Sequence, residues 1–227
     1  MTPSHAFLEM AGAARVDFVV ADLEHGELDL SLVAGLCRTA LAHRLPLLVR
    51  VPDREASTVA RVLDRGVAGI IVPKVERVEQ AQAIAAAARY APAGARGVAI
   101  GAIRASAYGF DGQYRTRSQI ETAVILQLES RSGLEAAAEI AAVRGVDMVF
   151  FGPNDLAAEL GLDGVDDPAL WREIDKTRGR LPQGTRLGTI ATPRRSAVDL
   201  AAEGYQLVIE GSDLAAFRMF LKGCAAS

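Results

Sequence analysis

The stretch "LPLLVRVPDREASTVARVLDRGVAGIIVPKV", residues 45–75, decides the fold class. It begins and ends in short apolar runs, residues 45–51 and 69–75, which are predicted strands. Between them, "EASTVARVLDRG" has apolar residues at helical spacing and stops at Gly66, a typical helix end. Runs without polar alternation are typical of strands covered on both faces. The stretch therefore predicts a parallel strand–helix–strand unit.

The same alternation extends along the chain of 227 residues. Further runs of strand length cover residues 17–23, 123–129, 146–152, 186–192 and 205–211. Strands and helices that alternate with short connections indicate a parallel sheet with right-handed crossovers. About seven strands on a chain of this size favour a TIM (β/α)8 barrel over a doubly wound sheet. We expect one barrel domain over residues 1–227.

One strand is missing from that count. The chain begins with a predicted helix over residues 4–14, and no predicted strand precedes it. We therefore expect the barrel to lack its first strand at the N-terminus. A gap between the first and last remaining strands would expose two strand edges. We expect the barrel to be poorly closed at this seam, or to be covered there by a partner subunit.

Composition excludes several classes of function. Half of the residues are hydrophobic, the formal net charge is −3, and no basic stripe is present that would follow a phosphate backbone. No apolar run approaches the roughly 20 residues that span a bilayer, and the first residues lack a signal-peptide pattern. Cys37 and Cys224 suggest neither a disulfide framework nor a zinc site. We expect a cytoplasmic protein without a nucleic-acid or membrane partner.

Polar side chains gather where the predicted strands end. They come from four different strands and are Asp22, Glu24, His25, Arg50, Gln127, Glu129 and Asp155. The opposite strand ends hold mainly loop residues such as Gly69 and Gly145. Because β/α barrels carry their chemistry at the carboxyl ends of the strands, this asymmetry predicts a site at that rim.

Some of these residues have simpler interpretations. Asp155 begins a predicted helix, so its role as an N-cap is as good an interpretation as a role in the site. His25 alone would be an ordinary loop histidine, but Asp22 beside it favours catalysis. Arg50 ends an apolar strand and needs a carboxylate or an anionic ligand. Glu129 is followed by serines that can cap the next helix, which leaves the carboxylate itself unexplained.

Several motifs resemble, in order and spacing, those of one known family. They are "FVVADLEHGELD", "LLVRVPDREASTVARVLDRGVAGIIVPKVERVEQA", "GVAIGAIRASAYG", "QLESRSGLEAAAEIAAVRGVDMVFFGPNDLAAELG" and "LVIEGSD". Over nearly its whole length the chain resembles the HpcH/HpaI family of metal-dependent class II pyruvate aldolases, in the phosphoenolpyruvate/pyruvate barrel superfamily. The resemblance implies a lyase that cleaves or forms a 4-hydroxy-2-oxo acid through the enolate of pyruvate or oxaloacetate.

The resemblance also implies a divalent metal at the rim. Its ligands would be Glu129 and Asp155, and Glu24 would support the water shell of the metal. Mg²⁺ or Mn²⁺ is expected, with Co²⁺ as a further candidate, because these ions accept oxygen ligands and keep positions open for a bidentate 2-oxo acid.

Catalytic and substrate-binding roles follow by position in the same way. The resemblance implies that Arg50 faces the developing oxyanion, and that His25, oriented by Asp22, is the general base for the C4 hydroxyl. The residues expected to bind the substrate are Arg50, Gln127, Gly152, Pro153 and Asn154. Residues 94–118 form a long Gly- and Arg-rich connection. Within it, residues 101–118 resemble the family's loop near the mouth of the site.

The implied partners are a small 2-oxo acid, an aldehyde and further copies of the chain, in a homo-oligomeric trimer or hexamer. Two alternatives stay open. Siderophore-type relatives condense oxaloacetate with acetyl-CoA to form citrate, and thiol release would identify that reaction. A non-catalytic, degenerate barrel is the second alternative, motivated by the missing strand. Against it, every chemical position carries the residue type that the chemistry needs.

Overall fold

The computed structural model describes residues 4–225, which form one parallel sheet surrounded by helices. The strands are β1 (Val19–Asp22), β2 (Leu47–Arg50), β3 (Gly69–Val72), β4 (Ala123–Leu128), β5 (Met148–Phe151), β6 (Leu187–Ile190) and β7 (Leu207–Ile209). All seven predicted strands are therefore present, each within or close to its predicted bounds. Their order in the sheet follows the sequence, and every pair is parallel.

Helices cover the outer face of the sheet. They are α1 (His5–Ala13), α2 (Leu30–Ala42), α3 (Ala56–Leu63), α4 (Val78–Ala88), α5 (Tyr114–Glu121), α6 (Arg131–Glu135), α7 (Ala137–Ala141), α8 (Pro153–Glu159), α9 (Pro168–Arg178), α10 (Ala197–Ala202) and α11 (Asp213–Ala225). Local sequence explains their starts. Asp29, for example, accepts the backbone N–H of Ser31 at 2.7 Å and caps α2. No helix among the described residues is long and apolar enough to cross a membrane.

The sheet curls into a barrel that does not close. Within residues 4–225, β1 pairs only with β2, and β7 pairs only with β6, so a seam lies between β1 and β7. The predicted TIM-like barrel with one strand missing is confirmed. The carboxyl ends of the parallel strands still meet at one rim, which is where the sequence predicts the site.

The core has two layers that follow from the alternation of side chains along a strand. The large layer lies between the sheet and the helices and includes Val49 and Leu126. The small layer fills the interior of the barrel, and its buried members are Leu48, Ile71, Ile125 and Phe150. Near-continuous apolar strands are thus explained by burial on both faces.

Residues 101–118 lie elsewhere than the resemblance implied. Arg104 donates to the carbonyl of Arg65 at 2.7 Å, and the N–H of Ala105 donates to the carbonyl of Asp64 at 3.2 Å. Residues 64–68 lead into β3, so the segment packs at the amino end of the barrel, opposite the predicted site. The expected position near the mouth of this subunit's site is wrong. Because α4 runs back to the amino end and β4 starts there, their connection has no reason to cross the barrel.

Candidate active site

Polar side chains from β1 to β5 and from the turns after them meet at the carboxyl rim of the barrel, here called the site rim. They are Asp22, Glu24, His25, Arg50, Lys74, Gln127, Glu129 and Asp155. All of them except Lys74 were predicted from the sequence. Lys74 could have been found by the argument used for Arg50, because it follows a buried strand and is charged.

Arg50 is held by two carboxylates. Its Nε donates to Oδ1 of Asp22 at 2.8 Å, its Nη2 donates to Oδ2 at 2.5 Å, and its Nη1 lies 3.2 Å from Oε2 of Glu24. Asp22 and Arg50 are neighbours in the register of β1 and β2, which brings the pair together. Burial alone would raise the pKa of Asp22, but the hydrogen bonds and charge of Arg50 outweigh it and lower that pKa.

The predicted side-chain pair between Asp22 and His25 is not formed. Asp22 accepts the backbone N–H groups of Glu24 and His25, at 3.0 and 3.4 Å, and its carboxylate faces Arg50. The imidazole of His25 lies instead 3.7 Å, Nε2 to Oε2, from Glu24, and the side chain is 58% exposed. The bidentate fork of Arg50 occupies both oxygens of Asp22, so Asp22 fixes the turn that carries His25 and leaves the ring to Glu24.

Glu24 is a nearly buried carboxylate between cations. Its side chain is 7% exposed, and its Oε1 lies 3.0 Å from Nζ of Lys74. Its Oε2 faces Arg50 and His25. A buried carboxylate requires such compensation, and the rim supplies it from β2 and from the turn after β3.

Glu129 is the most deeply buried carboxylate of the rim, at 3% exposure. Its Oε1 accepts the backbone N–H of Lys74 at 2.9 Å, and its Oε2 accepts a hydrogen bond from the side-chain amide of Gln127. Burial, then the charge of Asp155, then that of Glu24 raise the pKa of Glu129 to about 7. Gln127 therefore holds Glu129 through one of its two amide N–H groups, and its role in substrate binding stays a prediction.

Asp155 lies in the first turn of α8, and Gly152 is the N-cap of that helix. The interpretation of Asp155 as an N-cap is therefore wrong, and its carboxylate remains available to the site. A Cβ at Gly152 would lie 2.7 Å from Oε2 of Glu129 and 2.8 Å from the Gln127 amide. Gly152 thus keeps open the space beside Glu129.

The predicted backbone cradle for a substrate carboxylate is smaller than expected. The N–H of Gly152 donates to the carbonyl of Leu128 at 3.0 Å, and Pro153 has no N–H. Gly152 and Pro153 shape the turn, and among the three predicted positions the backbone donor left to a substrate is that of Asn154.

The donor set fits a hard divalent cation. Glu129, Asp155 and Glu24 offer oxygen atoms, and their crowding raises the pKa of Glu129, which a cation would reverse. Within residues 4–225, no three His, Cys, Asp or Glu side chains are placed to complete a metal site by themselves. Two carboxylates with open positions are an arrangement that suits Mg²⁺ or Mn²⁺, which keep waters and bind substrate oxygens.

Comparisons with known proteins find relatives over nearly the whole chain. The model of the family described as HpcH/HpaI aldolase/citrate lyase matches residues 2–219. The 5-keto-4-deoxy-D-glucarate aldolase of Shigella dysenteriae is 34% identical over 92% of this chain and 82% of its own length. The hydroxypyruvate/pyruvate aldolase of Deinococcus radiodurans is 35% identical over 96% of this chain and 80% of its own length.

Solved structures with a similar fold include the following two. An HpcH/HpaI aldolase/citrate lyase family protein from Burkholderia cenocepacia superposes with a TM-score of 0.89 at 31% identity, covering 99% of this chain and 90% of that one. The citrate synthase SbnG superposes with a TM-score of 0.85 at 27% identity, covering 99% of this chain and 88% of that one.

Proposed function

This chain belongs to the HpcH/HpaI aldolase/citrate lyase family and is a carbon–carbon lyase, and from that premise we propose its reaction. It cleaves, or in reverse forms, a 4-hydroxy-2-oxo acid through the enolate of pyruvate or oxaloacetate, with an aldehyde as the second product. The observation that carries the proposal is the pair of carboxylates formed by buried Glu129 and exposed Asp155, on the rim that holds Arg50. The names of the two aldolase relatives support it.

Glu129 and Asp155 would hold Mg²⁺ or Mn²⁺, with Co²⁺ as a further candidate. A divalent cation there supplies Lewis-acid polarisation of the 2-oxo group and its neighbouring carboxylate. Gln127 and the backbone of Lys74 orient Glu129 through one hydrogen bond to each oxygen. Glu24, fixed by two cations, faces the same space and would hold water beside the site.

Arg50 and His25 would act on the substrate itself. The guanidinium of Arg50, fixed by Asp22, stabilises the negative charge that grows on the keto oxygen as the C3–C4 bond breaks. His25 accepts the proton of the C4 hydroxyl, directly or through water, and Asp22 fixes the turn on which it stands. The N–H of Asn154 is the remaining predicted donor for the substrate carboxylate.

Cleavage assays with racemic 4-hydroxy-2-oxo acids test this function. The protein is stripped of metal and resupplied with Mg²⁺ or Mn²⁺, and released pyruvate is measured by a coupled reductase. We expect release only with metal, and a loss of release in Glu129→Gln at a metal concentration that saturates the wild type. Release that is equal with and without metal would contradict the proposal.

A second candidate is favoured by one observation, the similarity to the citrate synthase SbnG over nearly the whole chain. In that reaction the acetyl carbon of acetyl-CoA, as a carbanion, adds to the keto carbon of oxaloacetate, and water hydrolyses the resulting thioester to citrate and free thiol. A thiol assay with oxaloacetate and acetyl-CoA separates the two candidates. Thiol release in that assay, with no cleavage of any hydroxy-oxo acid, would replace the aldolase proposal.

We further propose a cytoplasmic homo-oligomer, a trimer or hexamer. Neither Cys37 nor Cys224 forms a disulfide, which fits a reducing compartment. Helix α11 has no buried residue, and its large apolar side chains Leu214, Phe217 and Phe220 are more than half exposed. Sedimentation velocity at micromolar concentration tests the assembly, and a monomer would contradict it.

A further inference from the structure

Lys74 is the site-rim residue whose side chain the proposed reaction leaves without a role. It follows β3, its side chain is 52% exposed, and its Nζ lies 3.0 Å from Oε1 of Glu24. Its backbone N–H binds Glu129, and its carbonyl accepts Nη1 of Arg54 at 2.8 Å. The backbone of Lys74 thus lies beside a proposed metal ligand, and its half-exposed side chain reaches Glu24.

The backbone of Lys74 has a positive φ of 54°, in the left-handed region that glycine occupies most easily. Glycine would keep both backbone hydrogen bonds with less strain, because neither uses the side chain. The backbone geometry alone therefore gives no reason for a lysine at this position.

The ammonium group of Lys74 lies on the side of the site where the aldehyde half of the substrate would bind. Nζ of Lys74 lies at one oxygen of Glu24, and the imidazole of His25 lies 3.7 Å from the other oxygen. In the proposed function, on which this inference rests, His25 takes the proton of the C4 hydroxyl. Lys74 is therefore placed beside C4 and the atoms beyond it, which become the aldehyde.

Charge and exposure suit a contact with an anion at this place. Arg50 is largely buried and already bound to Asp22 and Glu24, so it serves the keto end of the substrate. Nζ of Lys74, by contrast, pairs with Glu24 from a half-exposed side chain. Because this side chain is half exposed, its ammonium can leave Glu24 and pair with a carboxylate of the substrate.

We propose that Lys74 is a specificity-determining residue that binds a carboxylate on the aldehyde half of the substrate. The enzyme would then favour acceptors in which the aldehyde carries an acid group. The reacting bonds are unchanged by this contact, since Lys74 neither gives nor takes a proton and only pairs with the distal anion.

Two acceptors of equal length test the proposal, glyoxylate with a carboxylate and glycolaldehyde with a hydroxymethyl group. The quantity measured is the ratio of kcat/KM for their addition to pyruvate at saturating Mg²⁺. We expect Lys74→Met to lower the glyoxylate-to-glycolaldehyde ratio by about 30-fold, the size of one hydrogen bond to a charged group. Lys74→Arg should restore most of it.

Lys176→Met is the matched control. Lys176 lies on α9, pairs with Glu173 at 3.6 Å and is 67% exposed, and it makes no contact with the site rim. An unchanged ratio in Lys74→Met would overturn the proposal. An equal fall for both acceptors would also overturn it, because Lys74 would then only position Glu24. A wild type that neither adds pyruvate to an aldehyde nor cleaves a hydroxy-oxo acid contradicts the proposed function itself, whereas an active wild type with an unmoved ratio contradicts the role of Lys74 alone.

Discussion

Arg50 balances most of the negative charge on its side of the site rim. It pairs with Asp22 and Glu24, whose side chains are 19% and 7% exposed. We expect Arg50→Ala to lower kcat by roughly 10²–10³-fold, as for the loss of one oxyanion donor. Metal affinity, measured by calorimetry, should change much less, because Arg50 touches neither Glu129 nor Asp155.

Arg38→Ala is the control for Arg50→Ala. Arg38 is exposed on α2, away from the site rim, and its replacement should leave kcat close to the wild-type value. Activity of Arg50→Ala within a few-fold of the wild type would rule out the role assigned to this guanidinium.

Glu129 predicts a pH dependence of stability in the metal-free protein. Its pKa is about 7 in the folded chain and 4.5 in the unfolded chain, so the folded state holds the proton more tightly between these values. The contribution of Glu129 to the free energy of unfolding is therefore fully present below about pH 4.5. It is lost as the pH rises to about 7. Unfolding by urea in a chelator, compared with Glu129→Gln, measures the effect.

The variant cannot ionise at residue 129, so it should lack this part of the pH dependence. Saturating Mg²⁺ should reduce the loss in the wild type, because a cation favours the ionised carboxylate. A wild type that gains stability relative to Glu129→Gln between pH 5 and pH 7 in chelator would contradict the raised pKa.

At the residue scale, the sequence identifies a site residue when a single physical rule singles it out. Arg50 and Glu129 stand out because a charge at the end of a buried strand needs a partner or a ligand. The hydrogen-bond partners of these residues were harder to predict. Asp22 was assigned to His25, its neighbour in sequence, whereas the register of β1 and β2 gives it to Arg50. Such pairing depends on the position of the next strand, which local sequence does not contain.

Gly152, in the connection from β5 to α8, leaves no room for a side chain. A Cβ at Gly152 would come within 3 Å of both Glu129 and Gln127, and neither is the free end of a flexible chain, because each is hydrogen-bonded. We expect Gly152→Ala to displace the Glu129 carboxylate and to weaken Mn²⁺ binding at least about tenfold, the effect usual for disturbing the orientation of a ligand.

Gly179→Ala is the matched control for Gly152→Ala. Gly179 ends α9 with ordinary helical backbone angles, and a Cβ there meets only two carbonyl oxygens at 3.6 Å. Calorimetric titration with Mn²⁺ should give a wild-type affinity for this variant. Equal affinity in Gly152→Ala would show that the space beside Glu129 is not needed.

At the element scale, strands were predictable and some helices were not. The strands are short, apolar and punctuated by glycines or prolines, which gives a strong local signal. Helix α5 has the sequence "YRTRSQIE" with no apolar stripe, and it buries only Tyr114 and Ser118. Tertiary contacts hold it, because Tyr114 packs against Tyr90 and Gln119 donates to the carbonyl of Tyr90, and such contacts leave no periodicity in the sequence.

At the scale of the whole molecule, the main feature is the open seam between β1 and β7, the two end strands of the sheet. Because each of these strands has one neighbour among the described residues, half of its backbone groups lack a sheet partner. We expect amides of β1 and β7 to exchange with deuterium faster than those of β3 and β4, by about tenfold or more in a monomer. Native-state hydrogen exchange by mass spectrometry measures this.

β3 and β4 are the internal control for the exchange measurement, since each is paired on both sides. Sedimentation velocity on the same sample establishes the oligomeric state. If both seam strands were fully protected in a monomer, the open seam would be contradicted. Protection that appears only on assembly would show that a partner subunit covers the seam, the second arrangement that the sequence predicts.

The barrel brings all of this chemistry to one end. Parallel strands deliver acid, base and guanidinium groups to the carboxyl rim, while the long connection of residues 94–118 packs at the other end. The gathering of these groups at the carboxyl rim could be predicted from the sequence, because the polar residues that end four of the strands are visible in it. The position of the connection could not, since it depends on which end of the barrel α4 reaches.

The measurement that tests the central claim most directly is deuterium exchange into the methyl group of pyruvate, followed by proton NMR. It needs no knowledge of the natural aldehyde. The protein is first stripped of metal and then resupplied with Mg²⁺ or Mn²⁺. We predict exchange only with metal, and its loss in Glu129→Gln, because the site forms the enolate of pyruvate. Absence of exchange under every condition, although metal binds, would contradict a pyruvate aldolase and direct attention to oxaloacetate and acetyl-CoA.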